Sequence, residues 1–177
     1  MIICLTSLAR AGKDTFADYL VEKHSFVKLN MSDVLRDALI TEGKEPTKDN
    51  MSKLGDEWRK QFGMDIVMRR TLEKASRHDK VVITGVRSVE EITFMKANAK
   101  ELYLIAVTAD PEVRFKRRSE ADPQTEYGFF ARDERDVKNK GLDKVIAMAD
   151  YEVNNNFQTK EEFYSEIDLL LEKTGIK

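Results

Sequence analysis

Hydrophobic positions along this chain alternate between two spacings. Met1 to Leu5 is an apolar run too short for a half-exposed helix, which predicts a buried parallel strand; Phe16, Ala17, Leu20 and Val21 then recur at helical spacing. The alternation continues. Phe26 to Leu29 reads as a second short strand, and Val34, Leu35, Ala38 and Leu39 as a helix that Ser32 caps and Gly43 ends. Pro46 and Thr47 open another helix, with Met51, Leu54, Trp58 and Phe62 as its apolar stripe and Gly63 as its stop; a further one runs from about Asp65 to Lys74. Lys80 to Thr84 is a third strand, and Ser88 to Glu91 a capping box for the helix after it. Leu102 to Val107 is a fourth strand, and Asp110-Pro111-Glu112 a helix start. Beyond a charged helical span, Tyr151 to Asn154 is the last strand, and Thr159 to Glu162 boxes a final helix through Phe163, Ile167, Leu170 and Leu171 that stops near Gly175.

Composition narrows the class. A chain of 177 residues, 41% hydrophobic and 35% charged, suits one globular domain with a full core. Net charge is only -2, which gives no electrostatic case for nucleic acid or an anionic membrane surface. Cys4, the only cysteine, rules out an internal disulfide and suits a reducing compartment. No charged leader precedes the first strand and no apolar run approaches membrane-spanning length, so the expected location is the cytoplasm. His24 and His78 have no partners at metal-ligand spacing.

The candidate chemistry lies between the first strand and the first helix. Ser7-Leu8-Ala9-Arg10-Ala11-Gly12-Lys13-Asp14-Thr15 follows the phosphate-loop template G-x-x-x-x-G-K-[ST] at its second Gly and its Lys. Ser7 replaces the first Gly, and Asp14 stands where the metal-binding hydroxyl usually sits. In a strand-loop-helix context the loop amides and the helix N-terminus face an anion, and Lys13 reaches the outer phosphates of a nucleoside triphosphate. Either Thr15 or Asp14 is then the Mg2+ ligand, the carboxylate acting directly or through water.

Two further arginines leave strand ends. Arg36 follows the second strand and Arg87 the third, on the side where open α/β sheets bind ligands, with Ser32 and Gly85 beside them. Thr84 holds the strand position where a metal-organising acid is often found. Three helices between the second and third strands exceed what a crossover needs; such an insertion either closes over a second substrate or is a plain structural extension. Trp58, at helical spacing with apolar neighbours, reads as core. From Asp110 to Lys140 eight Lys and Arg balance eight Asp and Glu, which predicts a salt-bridged, mobile helical hairpin and not a nucleic-acid arm. Its arginines, among them Arg114, Arg117, Arg118, Arg132 and Arg135, make it a candidate lid over a transferring phosphoryl group.

The stretches LARAGKDT, NMSDVLR, ITGVRS, DPEVRFKR, RDERD and ADYEVNN resemble, in order and over nearly the whole chain, those of the adenylate-kinase-related P-loop proteins of archaea. The loop spelled GKDT is also similar to phage-type deoxynucleoside monophosphate kinases, and the layout to adenylate kinase and dephospho-CoA kinase. The resemblance implies a three-layer α/β fold with a five-stranded parallel sheet in the order 2-3-1-4-5. The core would comprise residues 1–30, 80–110 and 141–177, with an acceptor-binding insertion at 31–79 and a lid at 111–140. It implies transfer of a phosphoryl group from ATP, with Mg2+, to a small phosphorylated acceptor, a nucleoside monophosphate before others. Dephospho-CoA kinase activity and a nucleotide-hydrolysing switch are the alternatives. By the same resemblance Arg36 and Arg87 match acceptor-phosphate arginines, and Arg117, Arg132 and Arg135 match lid arginines. Asn154 and Asn155 match the region that holds the donor's adenine. Thr84 departs from the Asp common in this family, and the lid is shorter than in long-lid adenylate kinases. Small-molecule nucleotides are the expected partners; the oligomeric state is not indicated.

Overall fold

Strands that are apolar on both sides need helices on both faces of their sheet, and that is the arrangement in the computed structural model, which describes residues 1–176. The chain runs β1 (Ile2–Thr6), α1 (Lys13–His24), β2 (Val27–Asn30), α2 (Met31–Thr41), α3 (Lys48–Phe62), α4 (Ile66–Ala75), β3 (Val81–Thr84), α5 (Val89–Asn98) and β4 (Leu102–Thr108). It continues with α6 (Pro111–Lys116), α7 (Glu126–Lys140), α8 (Leu142–Ala147), β5 (Tyr151–Asn154) and α9 (Lys160–Thr174). The five strands are all parallel, in the order β2-β3-β1-β4-β5.

Alternate residues of β1, β3 and β4 feed two separate cores, while the edge strands β2 and β5 each pack into one. Ile3, Leu5, Val82, Ile105 and Val107 point to the side covered by α1 and α9, where Phe16, Leu20, Phe163 and Ile167 complete the packing. Cys4, Val81, Ile83 and Leu104 point to the other side, against α2, α3, α4, α5 and Val145 of α8. Register keeps the layers matched: Cys4 lies opposite Ile83 and Leu104, and Leu5 opposite Ile105. Burial raises the Cys4 thiol far above its usual range, so it stays a neutral packing group.

Two elements differ from expectation. The N-cap of α2 is Asn30 and not Ser32, which lies inside the first turn, so β2 passes into α2 without a linker. Asn30 is fixed from both directions: the Asp33 carboxylate accepts its N–H and side-chain amide at 3.0 and 3.1 Å, and its own Oδ1 accepts the Thr84 hydroxyl at 2.6 Å. The second difference is α8, a short helix after Gly141 that the hydrophobic pattern did not reveal; it is buried through Leu142 and Val145.

The connection from β1 leads by way of α1 to β2 at one edge, whereas β3 and β4 lead toward the opposite edge. A crevice therefore opens at the carboxyl end of β1, the topological switch point of such a sheet. Phe16 anchors α1 below it, fully buried and edge-on to Phe163 at 6.1 Å. Phe16→Ala should cost about 3 to 5 kcal/mol of unfolding free energy, measured by urea denaturation; a loss under about 1 kcal/mol would mean that α1 does not depend on this contact.

Candidate active site

The loop after β1 turns tightly enough to need two left-handed residues, Arg10 (φ 63°) and Gly12 (φ 112°). Its floor is Asn155, just past β5. This side chain is buried and donates from Nδ2 to the Ala11 carbonyl at 2.8 Å, while its backbone N–H bonds Thr108 at 2.7 Å. A Cβ on Gly12 would lie 2.2 Å from the same Nδ2, so glycine is required there by contact as well as by φ. Arg117 closes the floor from outside, donating to the carbonyls of Asn155 (2.8 Å) and Phe157 (2.9 Å).

Lys13 opens α1 and pairs with Asp14 at 2.7 Å. Lys28, from β2, stands 3.6 Å from the other Asp14 oxygen and 2.9 Å from Asp18. Partial burial would raise the Asp14 carboxyl, but Lys13 and Lys28 outweigh it and hold the group below its ordinary value. Asp14 is thus an ionised acid already shared by two lysines, and Thr15 lines the same wall.

At the exit of β3, Gly85 (φ 96°) turns the chain against Met31 and puts Arg87 immediately before the Ser88 capping box. Arg87 is half exposed, with Asp136 of α7 at 3.3 Å. Beneath it, the buried Glu91 accepts the N–H groups of Arg87 and Ser88 at 3.0 and 3.2 Å, with Arg59 of α3 at 3.6 Å. Burial raises the Glu91 carboxyl despite those donors. Thr84, engaged with Asn30, provides no carboxylate at this end of the sheet.

The α6–α7 hairpin is tied to the phosphate loop at two points. Asp133 accepts the Ala9 N–H at 3.3 Å and Arg114 at 2.6 Å, and Arg114 also donates to the Ala9 carbonyl at 3.0 Å. Arg114 is buried by these contacts and so serves as a brace between hairpin and loop. Asp122, also buried, gathers Arg10, Arg132 at 2.8 Å and the Ser119 N–H at 2.9 Å. Burial pushes the Asp122 carboxyl up, but Ser119, Arg132 and Arg10 together hold it well below the usual carboxylate range. Arg118 instead lies over the Phe115 ring at 4.0 Å, and Arg135 is exposed.

These pieces surround a cleft of about 620 Å3. Its walls include Ser7 to Arg10, Gly12 to Thr15, Gly85 to Arg87, Arg117, Asp122, Arg132, Asp136, Asn155 and the segment from Phe157 to Lys160. Of the residues expected from sequence, Ser32, Arg36, Ala11, Arg114, Arg118, Arg135 and Asn154 are not in the lining. Arg36 is half exposed and, among the described residues, held only by Asp33 at 3.2 Å. Sequence reasoning missed Asp122, Asp133 and Asp136 as site residues; the last two lie in the RDERD run, whose acids carried the signal beside its arginines. It also missed the wall from Phe157 to Lys160, hidden in an unremarkable helix start. Among the described residues no three His, Cys, Asp or Glu side chains are grouped to hold a metal by themselves, and no helix is long and apolar enough to cross a membrane.

A parallel 2-3-1-4-5 sheet with this loop at its switch point is the P-loop kinase fold. Structural comparison agrees: the shikimate kinase from Bacteroides thetaiotaomicron superposes with a TM-score of 0.68 over 99% of both chains at 15% identity. That from Aquifex aeolicus gives 0.61 over 99% of both at 21% identity. The chain belongs to the UPF0200 family, and its residues 9–128 match the family described as an AAA domain. The UPF0200 protein of Thermococcus onnurineus is 34% identical, covering 98% of this chain and 97% of that one; the relative from Thermoplasma volcanium is 32% identical with 96% of each covered.

Two variants check this geometry. Gly12→Ala should abolish nucleotide binding in calorimetry and lower stability by about 1 to 3 kcal/mol, because the loop must leave its left-handed turn or displace Asn155. Normal binding would show that the loop tolerates another shape. Glu91→Gln tests the raised carboxyl. The folded protein holds this proton more tightly than the unfolded chain, so its stabilising effect is present at low pH and fades as pH rises from 4.5 through the higher folded value. The wild-type melting temperature should therefore fall relative to Glu91→Gln across that interval, whereas a constant gap would mean ordinary titration.

Proposed function

We propose that this protein is a cytoplasmic, ATP-dependent phosphotransferase whose acceptor is a small phosphorylated molecule, a nucleoside monophosphate in the first instance. One observation carries the reading: Arg10, Lys13, Arg87, Arg117 and Arg132, contributed by separate parts of the fold, line a single cleft together with the phosphate loop. Clustered cations around loop amides suit two polyanions brought end to end, and phosphoryl transfer asks a protein mainly for alignment, charge neutralisation and exclusion of water.

In this reading Lys13 leaves Asp14 for the β- and γ-phosphates, and Lys28 remains to balance the carboxylate. An exposed pair of this kind is worth about 0 to 1 kcal/mol, so a triphosphate can readily draw the lysine away. The purine lies toward Arg117 and the wall from Phe157 to Lys160, with Asn155 supporting the loop instead of reading the base. Mg2+ would supply charge neutralisation on the phosphate oxygens, held by the Thr15 hydroxyl with Asp14 behind it through water. An acceptor phosphate oxygen attacks the γ-phosphorus as the bond to the β–γ bridging oxygen breaks and ADP departs; Arg132 neutralises the group in flight. Arg87 grips the acceptor phosphate, for which it must exchange Asp136. Arg36 would join it by giving up its weak pair with Asp33.

Lys13→Ala should abolish transfer without lowering the melting temperature by more than a few degrees, since its side chain packs in no core. Wild-type turnover in that variant would sink the donor assignment. Arg36→Ala and Arg87→Ala should each reduce kcat/KM for the monophosphate by about tenfold to a thousandfold with near-normal ATP affinity, and their combination should be less than additive. Coupled assays against a panel of monophosphates and dephospho-CoA, with calorimetry for ATP on the same preparations, would measure both. Hydrolysis indifferent to every acceptor would favour a switch.

A further inference from the structure

Asp122 belongs to the hairpin loop, away from the phosphate loop in sequence, yet it is almost completely buried and its two oxygens are divided between different partners. Oδ2 accepts the Ser119 N–H at 2.9 Å, the Ser119 hydroxyl at 3.1 Å and Arg10 Nε at 2.6 Å; Oδ1 accepts Arg132 Nη1 at 2.8 Å. We propose that Asp122 is a positioning residue of the donor site, cross-linking the phosphate loop to α7 and gripping Arg132 by Nη1 so that its guanidinium is held at the cleft wall. The inference rests on the donor-site reading above and adds to it a residue that acts through the arginines it holds.

Three observations support it. Arg132 Nε and Nη2 are buried with no hydrogen-bond partner, although Nη1 is engaged. Nε and Nη2 form one edge of the guanidinium, the pair of parallel N–H groups that meets a phosphate in bidentate fashion. The Nε atoms of Arg69, Arg114 and Arg118 are likewise buried without a partner, so it is the unpaired Nη2 that sets Arg132 apart. The guanidinium is restrained on its face too, 5.2 Å from the Phe129 ring centroid. Finally, Arg10 adopts a left-handed conformation that a non-glycine residue keeps only when its surroundings hold it, and its side chain is held by Asp122 and by the Ser119 hydroxyl at 2.5 Å. The carboxylate thus fixes a loop residue and the lid arginine in one frame. The separate brace of Arg114 and Asp133 on Ala9 keeps the hairpin in place when Asp122 is altered.

Inorganic tripolyphosphate is the probe, titrated calorimetrically into the wild type, Asp122→Asn, Arg132→Ala and the double variant. Asp122→Asn should weaken binding by about tenfold in the wild-type background and by clearly less in Arg132→Ala, because part of its effect runs through that arginine and the rest through Arg10. Tighter binding by Asp122→Asn would make the carboxylate a competitor for the arginines and overturn the proposal; so would additive losses. Amide hydrogen exchange on the unliganded proteins supplies a second readout. Asp122→Asn should speed exchange in residues 8–11 as well as 119–122, while acceleration confined to 119–122 would show that no cross-link exists. A wild type that fails to bind tripolyphosphate would refute the donor-site reading, and the exchange result would still decide the cross-link. Should Asp122→Asn not fold, Asp122→Glu, which keeps the charge and shifts its position, should show the same non-additivity with Arg132→Ala.

Discussion

The hydrogen bond from Asn155 to the Ala11 carbonyl is the constraint on which the site depends. A loop of small residues between strand and helix has many accessible conformations, and presenting its amides to one anion requires that most of them be removed. The side chain that does so comes from beyond the last strand and occupies the space a Cβ of Gly12 would need. Pairing of β4 with β5 thereby reaches the loop after β1. The sheet is more than a scaffold: its far edge determines the shape of the phosphate loop.

Electrostatics around the cleft follow a consistent arrangement. Lys13 is paired with Asp14, Arg87 with Asp136, and Arg10 and Arg132 with Asp122. Arginines and lysines this close would repel one another if left uncompensated, and their mutual repulsion would oppose folding. The carboxylates differ in how firmly they hold. Asp14 is mostly exposed and screened by water, so its lysine exchanges partners at little cost, whereas the buried Asp122 with its several donors cannot be separated from its arginines without stranding a charge. In the proposed reading, one class of acid gives way to a ligand and the other stays as framework.

The hairpin illustrates why charge density alone is a poor guide to role. Five arginines in its sequence look equivalent, yet the fold gives them separate duties. Arg114 braces Ala9, Arg117 holds the turn after β5, Arg118 covers Phe115, Arg132 lines the cleft and Arg135 faces solvent. Arg114 lies on α6, Arg117 and Arg118 just after it and Arg132 and Arg135 on α7, and only docking against the loop selects which of them turn inward.

Local chemistry was sufficient for much of the fold. The runs from Ile2, Val81 and Leu102, the capping boxes at Ser88 and Thr159 and the Gly12-Lys13 loop depend on neighbours within a few residues, so the amino-acid sequence determined them, and with them a parallel α/β chain with a phosphate-binding loop. The strand order came from likeness to known kinases, not from the strands themselves. Where partners lie far apart in the chain, only the tertiary structure decided. Asn30 caps α2 through a local box with Asp33 that Thr84, 54 residues away, reinforces; α8 formed because Val145 found a core in segments that precede it. The bond from Asn155 to Ala11 spans 144 residues, that from Ala9 to Asp133 spans 124 and that from Arg10 to Asp122 spans 112. A motif fixes which groups can bind phosphate; which of them face it, and what holds them there, is set by contacts that no short window of sequence contains.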